Sequence, residues 1–190
     1  MQLNTLFIDL DDTVYPAETG LWELIKQRIS LYMHEKLGLT WDDIPSMRTH
    51  YYRNYGTTMR GLLSDFNIDK EEYLLFVHDI PIDKILKPNL VLRHALQALP
   101  QKKVIFTNAD VPHAMRVMNA LNIADCFEQT IDILQLFPHC KPMPEAFHMA
   151  LDIAGEQDAS RCAFLDDSVV NLAAAKHIGF YTIRVGSEEP

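Results

Sequence analysis

Five strand-like runs, spaced by amphipathic segments, most narrow what this chain can fold into. The first covers residues 3–9 of the 190-residue sequence; KKVIFTN (102–108), CFEQTID (126–132), RCAFLDD (161–167) and FYTIRVG (180–186) are the others. The first run is apolar almost throughout, as suits a strand covered on both faces in a parallel sheet. Helical patterns alternate with the later runs. Residues 89–99 repeat Leu90, Leu92, Ala95, Leu96 and Leu99, and residues 111–121 repeat Val111, Met115, Met118 and Leu121. Residues 144–154 begin at Pro144 and stop before Gly155; residues 168–178 stop before Gly179. Proline in a first turn and glycine just past a last one are ordinary helix boundaries. Strand and helix in alternation predict an α/β domain with a parallel sheet.

Residues 16–87 break that rhythm. Leu21, Leu24, Ile25, Ile29, Tyr32, Met33 and Leu37 recur at helical spacing and Gly38 ends the run. Further helical segments are predicted at roughly 41–54, 58–66 and 70–78, with no convincing strand among them. The expected organisation is a core made of 1–15 and 88–190, with an all-helical insert, 16–87, placed after the first strand.

The bulk composition sets outer bounds. Hydrophobic residues make up 48% and charged residues 23%, ordinary for a globular domain. A net charge of −9 disfavours a nucleic-acid polymer as partner, since a phosphate backbone is usually met by a basic face. Cys126, Cys140 and Cys162 lack metal-ligand spacing, and an odd count without a secretory signal points to free thiols in a reducing compartment. The N-terminus has no basic region, and Asp9 interrupts its apolar run. The expectation is a cytoplasmic protein without a membrane partner.

The strand ends carry the chemistry. In open α/β sheets, ligands bind at the carboxyl ends of strands. The first strand ends in Asp9-Leu10-Asp11-Asp12-Thr13, the second in Thr107-Asn108, and the fourth in Asp166-Asp167-Ser168; Lys141 precedes the 144–154 helix. Taken singly, Asp12-Thr13 and Thr107-Asn108 are readable as turns, Lys141 as a solvated residue, and Asp166-Asp167-Ser168 as a helix cap. Taken together, the acids need another account. Two carboxylates ~4 Å apart repel by about 4 kcal/mol at an effective dielectric near 20. If Asp9, Asp11, Asp166 and Asp167 converge they need a cation, and oxygen ligands without His or Cys favour Mg²⁺.

DLDDT, a strand-end Thr-Asn, a Lys before PMPE and DDS before a helix, in that order, resemble the haloacid dehalogenase superfamily of phosphohydrolases. The resemblance covers the whole chain. It implies a Rossmann-like core with a five-stranded parallel sheet in the order 5-4-1-2-3, and a helical cap after strand one. It implies Asp9 as the nucleophile that becomes an aspartyl-phosphate, and Asp11 as general acid and then base. Thr107, Asn108 and Lys141 resemble the residues that hold phosphoryl oxygens. Asp9, Asp11 through its main-chain carbonyl, Asp166 and Asp167 resemble a Mg²⁺ site, with the direct ligand of the last two left open.

Within the superfamily, DDTVYP, KPMPEAF and YYRNYGTTMRGL (51–62) are similar to elements of the pyrimidine 5'-nucleotidase group, with Val14 and Met59 where leucine is usual. That resemblance implies a nucleoside monophosphate such as UMP or CMP as substrate. Gly56 breaks the helical pattern beside Tyr55, Thr57, Thr58 and Arg60, which marks these four as candidate specificity residues. The alternatives are a phosphatase for another small phosphate (a sugar phosphate, pyridoxal phosphate or phosphoglycolate) and a non-catalytic binding protein on the same fold.

Overall fold

The computed structural model describes residues 3–186. The strands are β1 (Thr5–Ile8), β2 (Lys102–Phe106), β3 (Gln129–Ile131), β4 (Cys162–Asp166) and β5 (Tyr181–Arg184). Each falls inside one of the five runs read from the sequence. All pairings are parallel and the order is β3-β2-β1-β4-β5, which is 5-4-1-2-3 read from the other edge. The chain divides into two compact units. One runs to Thr19 and resumes at Ile82; the other is Gly20–Pro81.

The helical unit contains α1 (Leu21–Leu37), α2 (Ile44–Tyr55), α3 (Thr58–Asp65) and α4 (Lys70–Val77). Gly38 closes α1 in the left-handed region, and Asp69 caps α4 by accepting from the Glu71 and Glu72 amides. Helix α1 packs on α4, where Tyr32 and Tyr73 meet edge to face at 4.9 Å. Helix α2 packs closely on α3. A β-carbon added at Gly61 would lie 2.1 Å from Tyr51 Cδ1. Ala is ordinarily worth about 1 kcal/mol over Gly inside a helix. At this position the clash reverses the sign: Gly61→Ala is expected to lower stability by about 1–3 kcal/mol, the usual cost of overpacking. A chemical denaturation midpoint that rises on substitution would contradict this packing.

The sheet-bearing unit adds α5 (Ile82–Ile85), α6 (Leu90–Ala98), α7 (Val111–Leu121), α8 (Ile133–Leu136), α9 (Pro144–Ala154) and α10 (Val169–Ile178). The longer helices match the periodic segments. Helices α5 and α8, four residues each, are too short for periodicity to reveal. Residues 16–19 and 82–87, placed in the insert on sequence grounds, lie with the sheet instead. Helix α5 packs on α7, and Ile82 and Leu86 are buried.

The core centres on β1, β2 and β4. Phe7, Phe106, Phe147, Phe164 and Phe180 are buried and stack edge to face or tilted, with Phe106 and Phe147 at 5.2 Å and Phe147 and Phe164 at 5.3 Å. Register sets the level at which the central strands end. Ile8 pairs with Ile105 on one side and Leu165 on the other. The next residue of each strand is therefore Asp9, Phe106 or Asp166, at one level of the sheet. The Asp9 amide donates to the Leu165 carbonyl at 2.9 Å.

Candidate active site

Strand β1 ends in a tight turn. The Thr13 and Val14 amides donate to the Leu10 carbonyl, and Asp12 turns the chain at φ 56°. Aspartate is one of the few non-glycine types that visit this left-handed region at modest cost. The turn holds Asp9 8% exposed at the strand end, where its Oδ2 accepts from the Thr13 hydroxyl at 3.3 Å.

Lys141 reaches the same point from the segment before α9. It is fully buried, contrary to what a lone lysine suggests. Its Nζ donates to Asp9 Oδ1 at 2.6 Å and to Asp166 Oδ2 at 3.0 Å. The ammonium also lies 5.2 Å from the ring centroids of Phe106 and Phe164. Asn108 fixes the lysine backbone: its Nδ2 donates to the Lys141 carbonyl and its Oδ1 accepts from the Lys141 amide, each at 2.9 Å. Both polar groups of the Asn108 side chain thus hold the Lys141 backbone, and the second Nδ2 hydrogen is left over as a donor. Asn108, expected among the phosphate-holding residues, is in the structure also a clamp on the lysine. Thr107 is buried, and its hydroxyl oxygen accepts from the Ala109 amide at 3.0 Å, which leaves the hydroxyl hydrogen as a donor.

Asp166 has no exposed surface. Its Oδ1 accepts from the Ser168 amide at 2.7 Å, its Oδ2 from Lys141, and Asn171 Nδ2 donates to both oxygens at 3.2 and 3.0 Å. Ser168 meanwhile caps α10 by accepting from the Asn171 amide. Asp167 is half-buried, and each of Asp9, Asp166 and Asp167 offers an oxygen within 4.8 Å of the others.

Asp11 is bonded through Oδ1, which accepts from the Tyr15 hydroxyl and lies 2.9 Å from His113 Nε2. Tyr15, His113 and Asn171 went unread in the sequence. Their signal was weak: each lies within one helical turn or so of a strand-end motif, but nothing local says that it turns inward. An open cavity of about 520 Å³ adjoins Asp12 and Asp167 and takes in Tyr15, Asn89 and Arg184, a volume suited to a small ligand.

Burial sets the electrostatics. It pushes the Asp9 carboxyl up to about 7 against the pull of Lys141, with Asp166 adding to the rise. For Lys141 burial opposes the charge, yet Asp166 and Asp9 outweigh it and hold the ammonium above the usual lysine range. Burial and then Asp166 raise Asp167. Burial and then Asp11 raise Tyr15, which stays a neutral donor. Three acids share one lysine, so two of the three charges lack a counter-charge from it. The remaining donors are hard oxygens, and such a set fits Mg²⁺.

In the helical unit, Gly56 closes α2 at φ 82° and Thr57 caps α3, its hydroxyl accepting from the Arg60 amide at 3.3 Å. The Arg60 guanidinium donates to the Tyr55 carbonyl, and the Tyr55 hydroxyl accepts from Ser64 at 3.4 Å. Thr58 opens α3. The structure brings these four residues together around one helix junction, where Thr57 and Arg60 have local structural bonds. Tyr51 is buried against Gly61, whereas Tyr52 is 56% exposed.

A parallel sheet in this order, with acids and a buried lysine at its strand ends, defines a class of hydrolase. The family model described as haloacid dehalogenase-like hydrolase matches residues 3–179, and the chain belongs to that family. It is 31% identical to Phosphate metabolism protein 8 of Saccharomyces cerevisiae over 191 residues, an alignment that takes in 93% of this chain and 59% of that protein's length. Among solved structures, the magnesium-bound HAD-hydrolase YfnB of Bacillus subtilis has a TM-score of 0.63 at 16% identity, covering 96% of this chain and 88% of that one. A predicted phosphoglycolate phosphatase of Haemophilus somnus also has a TM-score of 0.63, at 18% identity, covering 97% and 85%. At such identities these two structures speak for the fold alone. Among the described residues, no helix is long and apolar enough to cross a membrane.

Proposed function

We propose that the protein is a Mg²⁺-dependent phosphomonoester hydrolase working through an aspartyl-phosphate on Asp9, with a pyrimidine nucleoside 5'-monophosphate as substrate in the cytoplasm. The observation that carries this reading is the clustering of Asp9, Asp166 and Asp167 at the strand ends, with the buried Lys141 ammonium bonded to the first two. Asp9 attacks phosphorus and the bond to the leaving oxygen breaks; Asp11 gives that oxygen its proton. Water then attacks the phosphorus of the aspartyl-phosphate, Asp11 takes the water's proton, and Asp9 and inorganic phosphate are released. Lys141 and the Thr107 hydroxyl stand as donors for the phosphoryl oxygens.

Asp9, the Asp11 carbonyl and Asp167 would hold the ion. Asp166 suits a supporting role, because both its oxygens already accept from Lys141, Asn171 and the Ser168 amide. Bound Mg²⁺ would offset the surplus negative charge and polarise the phosphoryl group. The nucleotide assignment draws on the YYRNYGTTMRGL element and on a relative named for phosphate metabolism. Substrate choice is assigned to the helical unit, through Tyr55, Thr57, Thr58 and Arg60.

Two measurements test the proposal. Phosphate release should be ranked by kcat/KM over a panel of about twenty phosphoesters that includes the nucleoside monophosphates, sugar phosphates, pyridoxal phosphate and phosphoglycolate. UMP or CMP is expected at the head; another ester there would move the substrate and keep the chemistry. Millimolar Mg²⁺ should also raise the melting temperature, since an ion that binds only the native state stabilises by mass action, and Asp167→Ala should remove that rise. A melting temperature indifferent to Mg²⁺ sinks the metal assignment.

A further inference from the structure

A carboxyl that must give a proton and then take one back has to be held in orientation. Asp11 sits in the turn after β1 with its side chain 14% exposed. Two buried side chains from separate stretches meet its Oδ1. Tyr15 donates from its hydroxyl, and His113 places Nε2 2.9 Å away across 102 residues of sequence. Both are nearly inaccessible, Tyr15 2% and His113 1% exposed. His113 is itself fixed in the first turn of α7. Its amide donates to Asp110 Oδ1 at 3.2 Å, and the Val111 amide donates to Asp132 Oδ2 at 3.0 Å. A run of bonds thus leads from the ends of β2 and β3 through α7 to the Asp11 carboxyl. Two buried polar side chains that meet on one carboxyl oxygen do more than fill space, since apolar groups would fill it without desolvation cost.

We propose that His113 and Tyr15 are positioning residues, which orient Asp11 for proton transfer to the leaving oxygen and act on the reaction only through it. This rests on the phosphatase reading. The role has a signature that a merely structural one lacks. Protonation matters for an alkoxide leaving group and little for p-nitrophenolate.

The test is kcat for the best alkyl phosphoester of the panel against kcat for p-nitrophenyl phosphate. His113→Ala is expected to lower the first by roughly 10- to 100-fold and the second by less than about threefold, a part of the 10²–10⁴ that a general acid supplies. His113→Gln, which keeps an N–H donor, should recover part of the loss. Tyr15→Phe removes only a hydroxyl and should act in the same direction with a smaller effect. In an Asp11→Asn background, His113→Ala should cost nothing more on the alkyl ester. Equal losses on both esters, or losses that add to Asp11→Asn, overturn the proposal. Should His113→Ala not fold, Tyr15→Phe decides by the same criteria. Wild-type protein without turnover of any phosphoester overturns the phosphatase reading and this proposal together. Wild-type turnover that Asp9→Asn abolishes, alongside equal losses in the His113 and Tyr15 variants, overturns the positioning role alone.

Discussion

Asp9→Asn is expected to leave a folded protein whose phosphate release falls by at least about four orders of magnitude, about 5.4 kcal/mol of lost transition-state stabilisation. The amide has nearly the shape of the carboxyl but cannot form the acyl-phosphate bond. The fold should tolerate the change. Asp9 is one of three acids around one lysine, its carboxyl is already pushed up to about 7 by burial, and Lys141 keeps Asp166 as partner. Single-turnover phosphate release and a thermal melt, made on the same sample, check both halves. Turnover near the wild-type rate from a purified variant would end the covalent mechanism; lost turnover with a lost fold would show that Asp9 is structural as well.

Lys141→Met is expected to cost about 3–5 kcal/mol of stability above neutral pH in the presence of a chelator, the usual result of leaving a buried charge without its partner. The methionine fills much of the same volume, so the loss comes from Asp9 and Asp166, which would face one another without the ammonium that now lies 2.6 and 3.0 Å from them. The pH dependence has a definite sign. Burial already raises Asp9 in the folded state, and removing Lys141 removes the largest influence that lowers it. A carboxyl with a raised folded pKa costs nothing while both states are protonated. The cost grows as pH rises past the unfolded value near 4 and levels off above the folded value. Wild-type Asp9 carries the same rising cost up to about 7, so the gap in denaturation midpoint between wild type and variant should open near pH 7 and widen above it. A gap independent of pH would mean that packing, not charge, is what Lys141 contributes.

The same variant should lose turnover, since Lys141 is a proposed donor to the phosphoryl oxygens. The two losses separate by condition. Stability should return as pH falls, because protonated acids need no counter-charge, whereas activity should not.

Much of this is legible in the amino-acid sequence. Each strand lies within a run that its own residues announce, and each of the longer helices in the sheet-bearing unit within a segment with 3.6-residue periodicity, because burial of one face is a local pattern. The acids were legible for a related reason: charged residues at the end of an apolar strand demand an explanation where they stand. The Gly56 break beside Thr57 was legible too, although the hydrogen bonds there show Thr57 capping α3 and Arg60 bonding the Tyr55 carbonyl.

Pairings over long separations were decided only by the tertiary structure. Nothing near Lys141 says that it will be buried between Asp9, 132 residues away, and Asp166, 25 residues away. Nothing near His113 says that it will meet Asp11, and nothing in Asn108 distinguishes a phosphate donor from a clamp on the lysine backbone. The physical reason lies in the register of the parallel sheet. Because Ile8 is level with both Ile105 and Leu165, the residues that leave the three central strands emerge side by side, and the loops beyond them fold onto one another. The strands, the longer helices and the acids at the strand ends are local properties, written in the residues themselves; which side chain neutralises, clamps or orients which acid depends on that shared level, a property of the assembled sheet.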